Sequence, residues 1–325
     1  MPDQPRSAEP SEILQSLLER LNSTVVGQPE LLTRLVVALL AGGHVLIEGP
    51  PGLAKTRAVQ SLAHELGLPF RRIQFTPDLL PADLTGTQVY HPATGNFNVR
   101  QGPIVTHVLL ADEINRAPAK VQSALLEAMQ EGQVTIGNET VKLPDPFYVL
   151  ATQNPIEHEG TYPLPEAQLD RFLMKLLVTY PNRAAELDML DLPDLIGGNQ
   201  PITPLLDADQ VRLYKQYASM THVADLIKGY IVDLVRATRI PDQYGLAELK
   251  PLIELGASPR ASIGLVRSAQ AHALLAGRNF VTPHDVKSIA QDVLRHRLIL
   301  SYEADAQSLA PDDILEKILD HMPVP

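Results

Sequence analysis

The chain has 325 residues, 45% hydrophobic and 20% charged, the composition of a soluble globular protein with material for two well-cored domains. Its net charge of −11 at pH 7 disfavours broad binding to phosphate backbones. Cysteine is absent, which excludes disulfides, thiolate metal sites and cysteine nucleophiles.

Residues 1–10 are polar and proline-rich. They lack the apolar core of a secretory signal, so a flexible tail is expected there. The longest apolar stretch, residues 35–41, is broken by Gly42-Gly43 and is far shorter than the roughly 20 residues of a membrane span. A cytoplasmic location is the expectation. Ile13, Leu14, Leu17, Leu18 and Leu21 share one face at helical spacing. Pro29 suits an early position of the next helix.

Short apolar runs of strand length follow at 45–47, 72–75, 108–111, 147–151 and 172–178. Most are continuous rather than alternating, as in strands covered on both faces of a parallel sheet. Helical segments at 55–66 and 120–131 lie between them, so the pattern predicts an α/β fold with a parallel five-stranded sheet. Two alternating pairs predict hairpins. Residues 88–90 and 96–99 flank Ala93-Thr94-Gly95, and 133–136 and 140–143 flank Gly137-Asn138-Glu139. These hairpin insertions are expected near 86–103 and 132–144.

Beyond Tyr180 the sequence predicts helices only, after a Gly- and Pro-rich linker at 192–204. Val223, Leu226, Ile227, Tyr230, Ile231, Leu234 and Val235 are assigned to one buried face. Thr282-Pro283 is expected to cap a helix. The domain division expected is a core over 11–182 and an all-helical domain over 183–325.

The chemistry concentrates in Gly49-Pro50-Pro51-Gly52-Leu53-Ala54-Lys55-Thr56, which follows an apolar strand and opens a helix. A glycine loop in that place turns its N–H groups onto phosphate oxygens. Lys55 would reach the β- and γ-phosphates, Thr56 would give a hydroxyl to Mg²⁺, and Arg57 is counted with the cradle. Ala54 stands where a second glycine is usual, and a helical backbone conformation there would tolerate its methyl. The run 108–111 ends in Asp112-Glu113, 57 residues beyond Lys55 counted to Asp112. At the carboxyl edge of a parallel sheet these carboxylates face the loop. Asp112 would hold Mg²⁺, and Glu113 would deprotonate the attacking water. Asn154 ends another buried run, where its amide can bond that water or the γ-phosphate.

Together these segments resemble the MoxR family of AAA+ ATPases from about Val25 to the last helices. The resemblance implies a ring, usually a hexamer, with a helical lid and ATP and Mg²⁺ as ligands. It makes Asn154 the first sensor, and Leu164-Pro165-Glu166-Ala167-Gln168-Leu169-Asp170-Arg171-Phe172 the segment of an arginine finger. For Arg171 an internal salt bridge with Asp170 or Glu166 is the alternative. Gly256-Ala257-Ser258-Pro259-Arg260-Ala261-Ser262 resembles the second sensor, with Ser258 as helix cap. An arginine on a first turn is better explained by a nearby anion, such as a nucleotide phosphate. Val26 and Gly27 match the family's segment beside adenine. The resemblance also implies maturation of client enzymes or complexes and a partner with a von Willebrand factor A domain.

A magnesium-chelatase-like motor subunit is a near rival. An MCM-like nucleic-acid translocase is disfavoured because the second hairpin tip, Gly137-Asn138-Glu139, has only Lys142 nearby. No aromatic pore loop of a threading unfoldase follows the second strand. The 10 histidines form no metal-binding run, and His158 between Glu157 and Glu159 is assigned to a surface loop. Mg²⁺ bound with nucleotide is the only metal expected.

Overall fold

The computed structural model describes residues 10–93, 95–155, 161–190 and 203–325. The expected tail up to residue 9, Thr94 in the first hairpin, His158 with its neighbours and residues 192–202 of the expected linker lie outside them.

Helices α1 (Pro10–Thr24) and α2 (Pro29–Leu40) precede β1 (Val45–Glu48), α3 (Lys55–Glu65) and β2 (Phe70–Gln74). Next come α4 (Pro81–Thr85), the hairpin β3 (Gly86–His91) and β4 (Asn96–Gln101), then β5 (Val108–Asp112) and α5 (Ala119–Glu131). The hairpin β6 (Gln133–Ile136) and β7 (Glu139–Lys142) leads to β8 (Tyr148–Gln153), α6 (Glu166–Leu169) and β9 (Met174–Leu177). Both hairpins are antiparallel. They also touch, since a side chain at Gly137 would meet the Gln88 amide.

Five strands form one parallel sheet in the order β2-β5-β8-β1-β9. Alternate residues of a strand point to opposite faces, and here both faces are buried. Val45, Ile47, Val108, Leu110 and Leu150 join the core shared with α1 to α3, whereas Leu46, Leu109, Ala111, Val149 and Ala151 join the core under α5. That is why the central strands are continuously apolar.

After the sheet come α7 (Arg183–Leu190), α8 (Ala208–Met220), α9 (Asp225–Ala237), β10 (Ile253–Leu255), α10 (Pro259–Leu275) and α11 (Pro283–Leu294). β11 (Ile299–Leu300), α12 (Tyr302–Ala306) and α13 (Pro311–His321) complete the helical lid. Thr282 caps α11 as expected, in a reciprocal box with Asp285. Two details differ from expectation. The lid contains the short antiparallel pair β10–β11, too brief to show alternation. Leu226 is 74% exposed while Ile227, Leu234 and Val235 are buried, because it sits one residue, about 100° of helical turn, off the apolar stripe. Among the described residues no helix is long and apolar enough to cross a membrane.

Candidate functional site

Parallel pairing brings the carboxyl ends of β1, β2, β5 and β8 to one edge. Gln74 lies opposite Asp112, and Glu48 opposite Gln153. The loop leaving β1 wraps over this edge into α3. Gly49 must be glycine, since a Cβ there would stand 2.5 Å from the Val178 carbonyl oxygen. Gly52 has φ +85°. Ala54 corrects an expectation: its φ of 55° and ψ of 17° are left-handed, not helical. A methyl there is strained, which is the physical reason glycine is usual at such a position.

A cavity of about 440 Å³ opens between loop and sheet edge. Residues 51–57 form one wall, with Asp112, Glu113, Thr152, Asn154 and Arg72 opposite. Lys55 is half-buried, and its Nζ donates to the Gly49 carbonyl at 2.5 Å. Burial lowers the Lys55 pKa, opposed by the charges of Asp112, Glu113 and Glu48. Arg57 Nη2 is buried without a hydrogen-bond partner, a donor suited to an anion in the cavity. Asn154 is 7% exposed.

The acidic pair is held from three neighbouring segments. Thr152 Oγ1 donates to Asp112 Oδ1 at 2.5 Å and accepts from the Glu113 N–H at 2.9 Å. Arg72 Nε and Nη2 donate to Asp112 Oδ2 at 3.0 and 2.5 Å. Glu113 Oε2 accepts from Gln74 Nε2 at 2.7 Å and from Arg116 Nη1 at 2.9 Å. Glu113 itself has a left-handed φ of 56°, and such outliers persist where surroundings over-determine them. Sequence reasoning missed Arg72, Gln74, Arg116 and Thr152. Their only signal is position at a strand end or one turn beyond the acidic pair.

Other expected residues fall elsewhere. Gly49, Pro50, Val26 and Gly27 are not in the cavity wall. Gly27 lies against Pro181 and Ala185, where an added Cβ would stand at 2.9 and 3.0 Å. Arg171 and Arg260 meet in a second cavity of about 230 Å³ with Met129, Gln130 and Asp170, sharing no wall residue with the first. Among the described residues Arg171 is exposed and makes no ion pair, which removes its expected alternative with Asp170 or Glu166. Asp170 pairs instead with Arg297 at 2.7 Å and Arg260 at 3.5 Å. The anion beside Arg260 in this chain is therefore a carboxylate. Ser258 caps α10 as expected, accepting from the Arg260 N–H.

No group of three or more His, Asp or Glu side chains forms a self-sufficient metal site among the described residues. Asp112 and Thr56, facing one cavity, fit a cation whose remaining ligands come from phosphate and water.

A loop of this kind, on a sheet of this order with a helical lid, places the protein among the AAA+ ATPases. Residues 44–174 match the ATPase family associated with various cellular activities (AAA), and residues 247–318 match the AAA lid domain. Over 314 residues the chain is 47% identical to Chaperone MoxR1 of Mycobacterium tuberculosis, covering 96% of this chain and 82% of that one. It is 44% identical to YeaC of Bacillus subtilis, covering 96% and 95%, and 34% identical to Protein MoxR of Paracoccus denitrificans, covering 94% of each. A solved structure from Cytophaga hutchinsonii, 46% identical, superposes with a TM-score of 0.91 over 97% of this chain and 96% of that one. The chain belongs to the MoxR family of AAA+ ATPases.

Proposed function

We propose that the chain binds ATP with Mg²⁺ in the 440 Å³ cavity, hydrolyses it within a ring, and uses the cycle to mature or activate client proteins. The observation supporting this is the convergence of Lys55, Asp112, Glu113 and Asn154 on one cavity while Arg171 and Arg260 line another. A site without Arg171 and Arg260, on a chain that presents both in a separate cavity, is what head-to-tail assembly would complete. A hexamer is the family's expected ring. Each subunit would then offer Arg171 and Arg260 to its neighbour's phosphates.

In this reading loop 51–54 and the start of α3 bind phosphate through backbone N–H groups. Lys55 and Arg57 neutralise it. Thr56 and Asp112 would hold Mg²⁺, and the ion would supply charge neutralisation of the bound phosphates. Glu113 accepts a proton from the water that attacks the γ-phosphorus as the bond to the β–γ bridging oxygen breaks and ADP leaves, and Asn154 orients that water. Asp112 must exchange Arg72 for the hydrated cation. By the family resemblance the Val26-Gly27 segment would border the adenine. The chaperone role is supported by the name of the Mycobacterium tuberculosis relative. A von Willebrand factor A partner rests on the family resemblance.

Glu113→Gln tests the chemistry. It should bind ATP at unchanged affinity while phosphate release falls about 100-fold or more. Unchanged turnover would remove Glu113 from this role. The same trapped variant, used as bait, should retain clients in ATP and release them in ADP.

A further inference from the structure

Residues 170–173, which carry Arg171 between α6 and β9, are gripped by a short lid turn, Arg295–Arg297, just after α11. Arg297 Nε donates to Asp170 Oδ1 at 2.7 Å. Its Nη2 donates to the carbonyls of Asp170 at 3.2 Å and Phe172 at 2.7 Å, and its Nη1 to that of Leu173 at 3.1 Å. A further bond from Nη1 to the Val293 carbonyl ties the fork to α11. His296 Nε2 donates to the Phe172 carbonyl at 3.1 Å, and Arg295 Nη1 to that of Lys175 at 2.7 Å. Three consecutive lid side chains thus fix the backbone on both sides of Arg171.

The Arg297 side chain is only 4% exposed and does not line the cavity between loop and sheet edge. Burying a guanidinium is a poor way to gain stability, since apolar side chains of similar volume commonly do as well. A five-donor planar fork supplies direction instead. Asp170 carries that direction onward. Its other carboxylate oxygen accepts from Ser258 Oγ at 3.2 Å and pairs with Arg260 at 3.5 Å.

We propose that Arg297 is a positioning residue. Through Asp170 and the carbonyls flanking Arg171 it sets the direction in which a subunit presents Arg171 to the next subunit's nucleotide, so lid and arginine move as one body. This rests on the reading that Arg171 acts across the subunit boundary.

The test measures ATP affinity and steady-state phosphate release for Arg297→Lys, alone and mixed with Glu113→Gln subunits. Lysine keeps the charge and loses the fork. Asp170→Asn disturbs the same clasp from the other side and is the second variant if the first folds poorly. Alone, the variant should lose turnover about 10- to 100-fold, the scale of a misplaced catalytic group, with ATP affinity unchanged. Mixing should restore turnover, because Glu113→Gln subunits bring a correctly held Arg171 to intact sites. Arg171→Ala mixed with Glu113→Gln is the control. Recovery in the control without recovery in the clasp variant, or wild-type turnover by that variant alone, overturns the positioning role and leaves action in trans standing. No recovery in the control removes action in trans itself, and this inference with it.

Discussion

Thr152 connects the two acidic residues through one hydroxyl, bonding the Asp112 carboxylate and the Glu113 backbone. It donates to Asp112 and accepts from the Glu113 N–H, at a position 2% exposed. Thr152→Val keeps the shape and removes both bonds. A buried donor left without a partner costs about 1–3 kcal/mol, so a urea titration should show that loss, with slower turnover as Glu113 drifts. Unchanged stability and rate would mean water replaces the hydroxyl. Ala54 poses the opposite case. Its left-handed backbone costs an alanine about 1–2 kcal/mol, yet its methyl also packs on the core. Because glycine pays about 0.5–1 kcal/mol more in chain entropy, Ala54→Gly should raise stability by at most about 1 kcal/mol. A fall in the thermal midpoint would show that the methyl contact outweighs the strain.

At the level of elements, burial decides what the sequence can express. The central strands β1, β5 and β8 are covered on both faces, so their apolar runs were readable and so was the edge where they end. The edge strand β2 begins two residues before the expected run 72–75, because exposed Arg71 separates Phe70 from the residues that follow. Gln74 and Thr152 act across pairings 39 and 40 residues long, and the Arg297 clasp spans 127. No local pattern records such partners. The misassigned Leu226 gives a test at this scale. Leu234→Ala, at a fully buried position of α9, should cost about 2–5 kcal/mol. Leu226→Ala should change stability by less than about 0.5 kcal/mol. Comparable losses at the two sites, measured by denaturant unfolding, would place Leu226 in an interface that the isolated chain does not explain.

At the scale of the whole molecule, two buried histidines tie distant parts together and should make the fold acid-sensitive. His44 spans β8 and the end of α5, accepting from the Val149 N–H at 3.1 Å and donating to the Met129 carbonyl at 3.2 Å. Burial lowers its pKa from 6.5 to about 4. His296 joins the lid to Phe172, and burial, then the Arg297 charge, hold its pKa well below 6.5. Unfolding returns both rings to ordinary values, so between the folded and unfolded pKa the unfolded chain binds more protons. The stabilisation is therefore complete above the unfolded value and shrinks as pH falls through it, until the folded rings also protonate. From neutral pH to about pH 5.5 His44 should remove on the order of 1 kcal/mol, and His296 should add to the loss in the same direction. His296→Gln keeps an N–H for Phe172 and cannot titrate. Its unfolding free energy should fall over the same interval by less than the wild type's. An undiminished fall would assign the acid sensitivity to groups other than the clasp histidine.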